Sequence, residues 1–155
     1  MMWTRLLPVL VTAIVCASAG GLVWAAAPDN LDQVRAVRNL ERRSRMALEY
    51  AHAALDRAMK TYLGGDLQAG LLQLVEIQEA VELSQESLKG TGKTPSRSPK
   101  HFKRAEIETR NLLRELESAE SQVNFDDRGH VRAVFGRVEE INKELLLGIM
   151  TKPKK

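Results

Sequence analysis

The chain has 155 residues, a hydrophobic share of 44%, a charged share of 28% and a formal net charge of +3, the composition of a single globular domain of ordinary size. Aromatics make up only 5%, and both tryptophans (Trp3, Trp24) and the single cysteine, Cys16, precede Pro28. After Pro28 this excludes a disulfide scaffold, a thiolate metal site and a cysteine nucleophile, and a core poor in rings favours helix-on-helix packing over a sheet.

Residues 1–27 read as a signal peptide or signal anchor. Arg5 supplies a positive start, 6–15 is an apolar run interrupted by Pro8, and Ala17-Ser18-Ala19 and Val23-Trp24-Ala25 fit small-residue cleavage patterns. Pro28 argues against a cut directly after Ala27, and Val15 before Cys16 argues against lipidation. The charge-free run 6–27 is also long enough to span a bilayer, although Pro8, Gly20 and Gly21 weaken it as a stable helix. Either way, the reading places the following domain outside the cytoplasmic membrane, periplasmic or extracellular.

The domain is expected over 28–151, as a hairpin at 29–89, a flexible basic loop at 90–98 and a hairpin at 99–150, with a basic tail at 152–155. Asp29 and Asn30 are natural N-caps for a first helix. The stretch 31–63 has no Pro or Gly and is rich in residues that lose little entropy in a helix. Its apolar stripe, from Val34, Val37 and Leu40 through Ala47, Leu48, Ala51, Ala54, Leu55 and Ala58 to Tyr62, advances mostly by three and four, which predicts one long helix with one buried face. Ser44 interrupts the stripe. The many alanines of the second half allow a neighbouring helix to approach closely. The first half, 31–45, has a thinner stripe and five arginines, and is expected to project as an exposed arm.

Gly64-Gly65 ends that helix and Asp66 caps the next, over 67–89, with Leu67, Gly70, Leu71, Leu74, Ile77, Val81 and Leu88 on one face. So short a connection makes the two helices antiparallel neighbours. The Tyr62-Leu63-Gly64-Gly65-Asp66 turn, with Ala58 before and Gly70 after, is similar to the helix-turn-helix of a tetratricopeptide repeat. The likeness covers about one repeat, and no second copy appears at the 34-residue period, so it implies a tight helical hairpin rather than a repeat array. Two glycines, Pro95 and several Ser and Thr make 90–98 a mobile loop.

Ser98-Pro99 starts a third helix with the stripe Phe102, Ala105, Leu112, Leu116, Ala119, Val123. After Asn124-Phe125-Asp126-Asp127, a fourth carries Val131, Val134, Val138, Ile141, Leu145 and Ile149. The fold class is therefore all-α, two antiparallel helical hairpins forming an up-down-up-down four-helix bundle. The alternative is that two chains complete each other's bundle as a homodimer.

Neither catalysis nor a cofactor is expected. Glu49 and His52 have the Glu-x-x-His spacing of di-iron bundles, and Asp127 to His130 echoes it. In an antiparallel bundle, however, the two histidines fall at different levels, and the inward stripes lack four carboxylates. Met46, Met59 and Met150 suit core filling. Gly92-Lys93-Thr94 lacks the earlier glycine of a phosphate-binding loop, with Ser87 in its place.

Charge is the most informative pattern. Arg35, Arg38, Arg42, Arg43 and Arg45 crowd the start of the first helix; Lys93, Arg97, Lys100, Lys103 and Arg104 surround the loop. In the expected bundle these meet Lys152, Lys154 and Lys155 at one pole. The expectation is a non-enzymatic exported scaffold or binding protein, engaging an envelope protein or an anionic surface, lipid or polymer, through that pole. Nucleic acid is not expected, because the pole lacks aromatic stacking residues. The rival readings are a periplasmic chaperone or stress sensor, which would need an apolar groove beside Leu72, Val75 and Leu83 or beside Ile107 and Leu113, and a metal-binding bundle.

Overall fold

The computed structural model describes residues 28 and 30–151; the leader, 1–27, and the tail, 152–155, lie outside the described residues. The described chain is all-helical: α1 (Leu31–Arg35), α2 (Leu40–Leu63), α3 (Leu67–Gly90), α4 (Pro99–Gln122) and α5 (Arg128–Met150), with a short 3-10 turn at Phe125–Asp127. No strand occurs among the described residues.

The first helix corrects the sequence reading. The stretch 31–63 is not continuous; it breaks over 36–39. Asn39 is extended, and its side chain accepts the Arg42 N–H at 2.8 Å, capping α2. Asn competes with the helical backbone in this way and is favoured at N-caps. Nor is 31–45 a projecting arm. Pro28, Leu31 and Val34 are buried, and α1 packs against both α2 and α3. Arg35 reaches Glu79 of α3 at 3.0 Å, and Arg43 donates to the Arg35 carbonyl at 3.2 Å. The segment folds back along the α2–α3 hairpin because two apolar side chains and a proline can be dried there.

The α2–α3 hairpin is close-packed. Ala47, Ala51, Ala54 and Ala58 of α2 are buried, as are Gly70 and Ala80 of α3. A Cβ at Gly70 would lie 2.7 Å from the Tyr62 Cβ and 2.9 Å from the Ala58 carbonyl oxygen, so this crossing admits only glycine without movement. Ser44, the break in the stripe, faces inward and shares a hydrogen bond with Ser84 at 2.8 Å. Tyr50 to Glu76 and Thr61 to Gln73 continue the pairing, and the falling partner numbers make α2 and α3 antiparallel. At the turn, Gly65 adopts φ +104°, a conformation glycine takes without a steric penalty.

The second hairpin is pinned by Asn142 of α5, which donates to the Glu106 carbonyl and to Thr109 Oγ1, both at 2.8 Å. The Arg132–Glu120 pair lies nearer the turn, so α4 and α5 are antiparallel too. Across the hairpins, α3 runs alongside α5 through Glu82–Arg137 and Gln85–Glu144. Likewise α2 runs alongside α4 through Glu41–His101 and His52–Glu115. Tyr62 closes the far end: its hydroxyl donates to Asp127 at 2.6 Å and accepts the Asn124 N–H at 3.0 Å. Asp127 precedes α5 but makes no side-chain cap, because its carboxylate accepts from Tyr62.

The 90–98 connection is a run of hydrogen-bonded turns rather than an open tether. Thr91 Oγ1 donates to the Leu88 carbonyl, and the Arg97 and Ser98 N–H groups donate to the Thr94 carbonyl. Pro95 packs against Gly148, where an added Cβ would lie 3.2 Å from the proline ring.

Candidate functional site

The start of α2, the 90–98 turns, the start of α4 and the end of α5 come together at one end of the molecule. Leu40 lies close to Gly90, Lys93 and His101 both reach Glu41, Lys89 reaches Glu144, and Pro95 meets Gly148. This end carries most of the arginines and lysines picked out in the sequence, but they divide into three sets.

One set is turned toward α3. Arg35 pairs with Asp32 at 2.8 Å and with Glu79 at 3.0 Å; these partners raise its pKa, the hydrogen bond it donates to Asp32 foremost. Arg43 donates to Ser87 Oγ at 2.9 Å and to the Arg35 carbonyl. Both arginines brace α1 against the first hairpin. A second set is paired near the α2–α4 seam: Lys93 with Glu41, and Arg45 with Glu49 at 3.5 Å. The hydrogen bond from Lys93 holds the Glu41 carboxyl below the usual range, and the nearby His101, Lys93 and Lys100 charges add to it. The third set, Arg38, Arg42, Arg97, Lys100, Lys103 and Arg104, is exposed and, among the described residues, has no carboxylate within ion-pair distance. The sequence grouped all ten by their position along the chain. Arg45 is engaged by a neighbour on its own helix, whereas the engagement of Arg43 and Lys93, and of Arg35 with Glu79, depends on partners more than forty residues away.

A feature the sequence did not single out lies between α2 and α4: a cleft of about 340 Å³ running from Asn39 to His52 on α2 and from His101 to Glu108 on α4. Leu48 and Ala105, both buried, line it, and Ser44 lies among them. Arg42, Arg45 and Arg104 stand around it. His101 meets Glu41 at 3.0 Å near its lower end. At its upper end His52 Nδ1 hydrogen-bonds Glu115 at 2.7 Å, while Nε2 faces Glu108 at 3.7 Å and is buried without a hydrogen-bond partner. His52 thus joins α2 to α4.

The two helices flanking the cleft run in the same direction and begin at the same end. Their N-termini add a partial positive charge there, and Ser98 makes no side-chain cap on α4. Among the described residues no group of three or more His, Cys, Asp or Glu is arranged to hold a metal ion, and no helix is long and apolar enough to cross a membrane. No family model, curated protein or solved structure matches the chain.

Proposed function

We propose that the chain is an exported, non-enzymatic helical binding protein of the cell envelope. In this reading α2–α5 serve as an up-down-up-down bundle that holds a basic pole toward an anionic partner. The observation that carries it is the set of six exposed cations at one end, Arg38, Arg42, Arg97, Lys100, Lys103 and Arg104, with no ion-pair partner among the described residues. Cations gathered on one surface raise the local concentration of anions and speed encounter. Beside an anionic bilayer each contributes about 1 kcal/mol.

Flotation with vesicles of phosphatidylglycerol and phosphatidylcholine tests this. Binding should fall about tenfold or more on neutralising Arg97, Lys100 and Lys103 together, and should weaken as salt rises. Flotation that survives this change undiminished, or that never occurs with anionic vesicles, overturns the lipid form of the proposal. Export is tested separately by fractionation and by N-terminal sequencing of the mature protein.

One observation favours a second reading, client binding of the chaperone type. Leu72 and Val75 of α3 are 64% and 54% exposed, and Ile107 of α4 is 46% exposed. Suppression of aggregation of a denatured model substrate, lost in a Leu72→Gln/Val75→Gln variant, would support it over the basic-pole reading.

A further inference from the structure

The last turns of α5 carry Leu146, Leu147 and Met150, which are 41%, 65% and 71% exposed. Met150 is four residues from Leu146 and three from Leu147, so the three share one face of the helix. Two contacts fix where that face lies. Pro95 packs against Gly148, which puts the 90–98 turns, and Arg97 with them, beside this end of α5. Asn142 meets the Glu106 carbonyl and Thr109. Because α4 and α5 are antiparallel, Leu146 and Met150, one and two turns further on, fall level with Lys103 and with the start of α4 at Pro99. Arg97, Lys100 and Lys103 at that level are exposed and have no ion-pair partner among the described residues. The nearby α5 carboxylates are taken: Glu139 by Lys143 at 2.9 Å and Glu144 by Lys89 at 3.2 Å.

We propose that this apolar face enters the interfacial layer of an anionic lipid bilayer while the cations beside it take the headgroup phosphates. The inference rests on the basic-pole reading and deepens it by naming the bilayer as the partner. An anionic polymer would satisfy the cations and leave three aliphatic side chains in water. A bilayer takes both at once, because its charge lies just outside its acyl boundary. A second copy of the chain fits poorly: a two-fold contact sets the same patch against itself and would bring the Arg97, Lys100 and Lys103 charges of both copies together. Three side chains also fall far short of the roughly 20–30 residues a side of a stable protein interface. The far end of the molecule supplies a contrast. Its exposed apolar residues, Leu63, Leu67 and Phe125, stand among Asp66, Asp126 and Asp127 as well as Lys60 and Arg128, so it offers an anionic surface no comparable excess of positive charge.

The test places an environment-sensitive fluorophore at position 150 of the full chain, through Cys16→Ser/Met150→Cys, and at position 63 through Cys16→Ser/Leu63→Cys. Both labelled positions are exposed, so the variants should melt like the parent. With vesicles of phosphatidylglycerol and phosphatidylcholine, the label at 150 should shift to the blue and be quenched by nitroxide-bearing lipid, while the label at 63 does neither. The readout is local, so it is separate from any contribution of 1–27 to vesicle binding. Adding Arg97→Gln/Lys100→Gln/Lys103→Gln should raise the lipid needed for half the shift about tenfold or more. Flotation with the label at 150 still in water would overturn insertion and leave the pole reading standing. Equal shifts at 63 and 150, or an equal shift with phosphatidylcholine alone, would overturn the proposal too. So would a shift without lipid that grows with protein concentration, since a second copy would then cover the face. A protein that never floats with anionic vesicles would fail earlier, at the lipid form of the pole reading itself.

Discussion

Gly70 and Gly136 show how position decides what a helical glycine does. Gly70 sits where α3 crosses α2, with the Tyr62 and Ala58 backbone inside the space a methyl would need. Gly70→Ala should therefore destabilise by about 1–3 kcal/mol through overpacking, despite the better helix propensity of alanine. At Gly136 an added Cβ meets nothing within 4 Å, so Gly136→Ala should stabilise by about 0.5–1 kcal/mol. Urea denaturation of the two variants should give opposite signs. Tyr50 offers a test by pH. Its ring is buried and lies under the Arg57 guanidinium, and its hydroxyl donates to Glu76 Oε2 at 2.5 Å. Burial, then the Glu76 hydrogen bond, push the phenol from 10.0 up to about 12. A folded-state pKa above the unfolded one contributes stability that is present below the unfolded value and lost as pH rises toward the folded one. Stability should thus fall between about pH 10 and 12, and Tyr50→Phe should flatten part of that fall in pH-dependent melts. Tyr62, whose pKa is also raised by burial and by Asp127, should contribute to the fall in the same direction.

At the scale of the element, α1 is the segment whose existence depends on its neighbours. Five residues are far fewer than the roughly 12–15 an isolated helix needs in water. Asn30 caps its start by accepting the Asp32 N–H at 2.7 Å, but a cap alone cannot hold one turn. Leu31 and Val34 against α2 and α3, and the Arg35–Glu79 and Arg43–Arg35 contacts, hold it in place. Val34→Ala should cost about 1–2 kcal/mol of docking. It should bring the α1 amides to near-unprotected exchange and open Arg35 and Arg38 to trypsin, while α2–α5 keep their protection. Equal loss of protection throughout would mean that α1 is an integral part of the core instead. The α2–α4 seam behaves differently from the α2–α3 hairpin because its residues differ. Small side chains let α2 and α3 approach closely, whereas arginines, glutamates and two histidines along α2 and α4 leave a cleft between them.

For the whole molecule, the basic end is also where acid should act. Glu41 ties α2 to the 90–98 turns through Lys93 and to α4 through His101, and its carboxyl is held below the usual range, chiefly by the Lys93 hydrogen bond. A folded-state pKa below the unfolded one contributes stability that is present above the unfolded value and lost as pH falls through the folded one. Stability should therefore decline as pH drops through the ordinary glutamate value of 4.5 and below. Glu41→Gln should lower stability at neutral pH and blunt that decline, as read by thermal melts across the acid range. The same loss frees Lys93 and His101, so acid loosens the contacts beside the cleft and makes the end more positive at once.

The residue order alone determined that the described chain is helical and, the start of α2 excepted, close to where each long helix begins and ends. Apolar spacing, Gly64-Gly65, Ser98-Pro99 and the alanines before Tyr62 are local signals read within a turn or two. The run of cations around the 90–98 connection was equally legible. The break at 36–39 was only half visible, as an Asn with an acidic first turn after it. With no Pro or Gly to mark it, the docking of Leu31 and Val34 decided whether the helix ran on. Tertiary structure alone decided the inward turn of Ser44 toward Ser84, the tie of His52 to Glu115, and which of Arg35, Arg43 and Lys93 reach across to another element. Periodicity reports which face of a helix is apolar, but a hydrogen bond or ion pair between residues forty or more positions apart exists only once packing has set the register between helices.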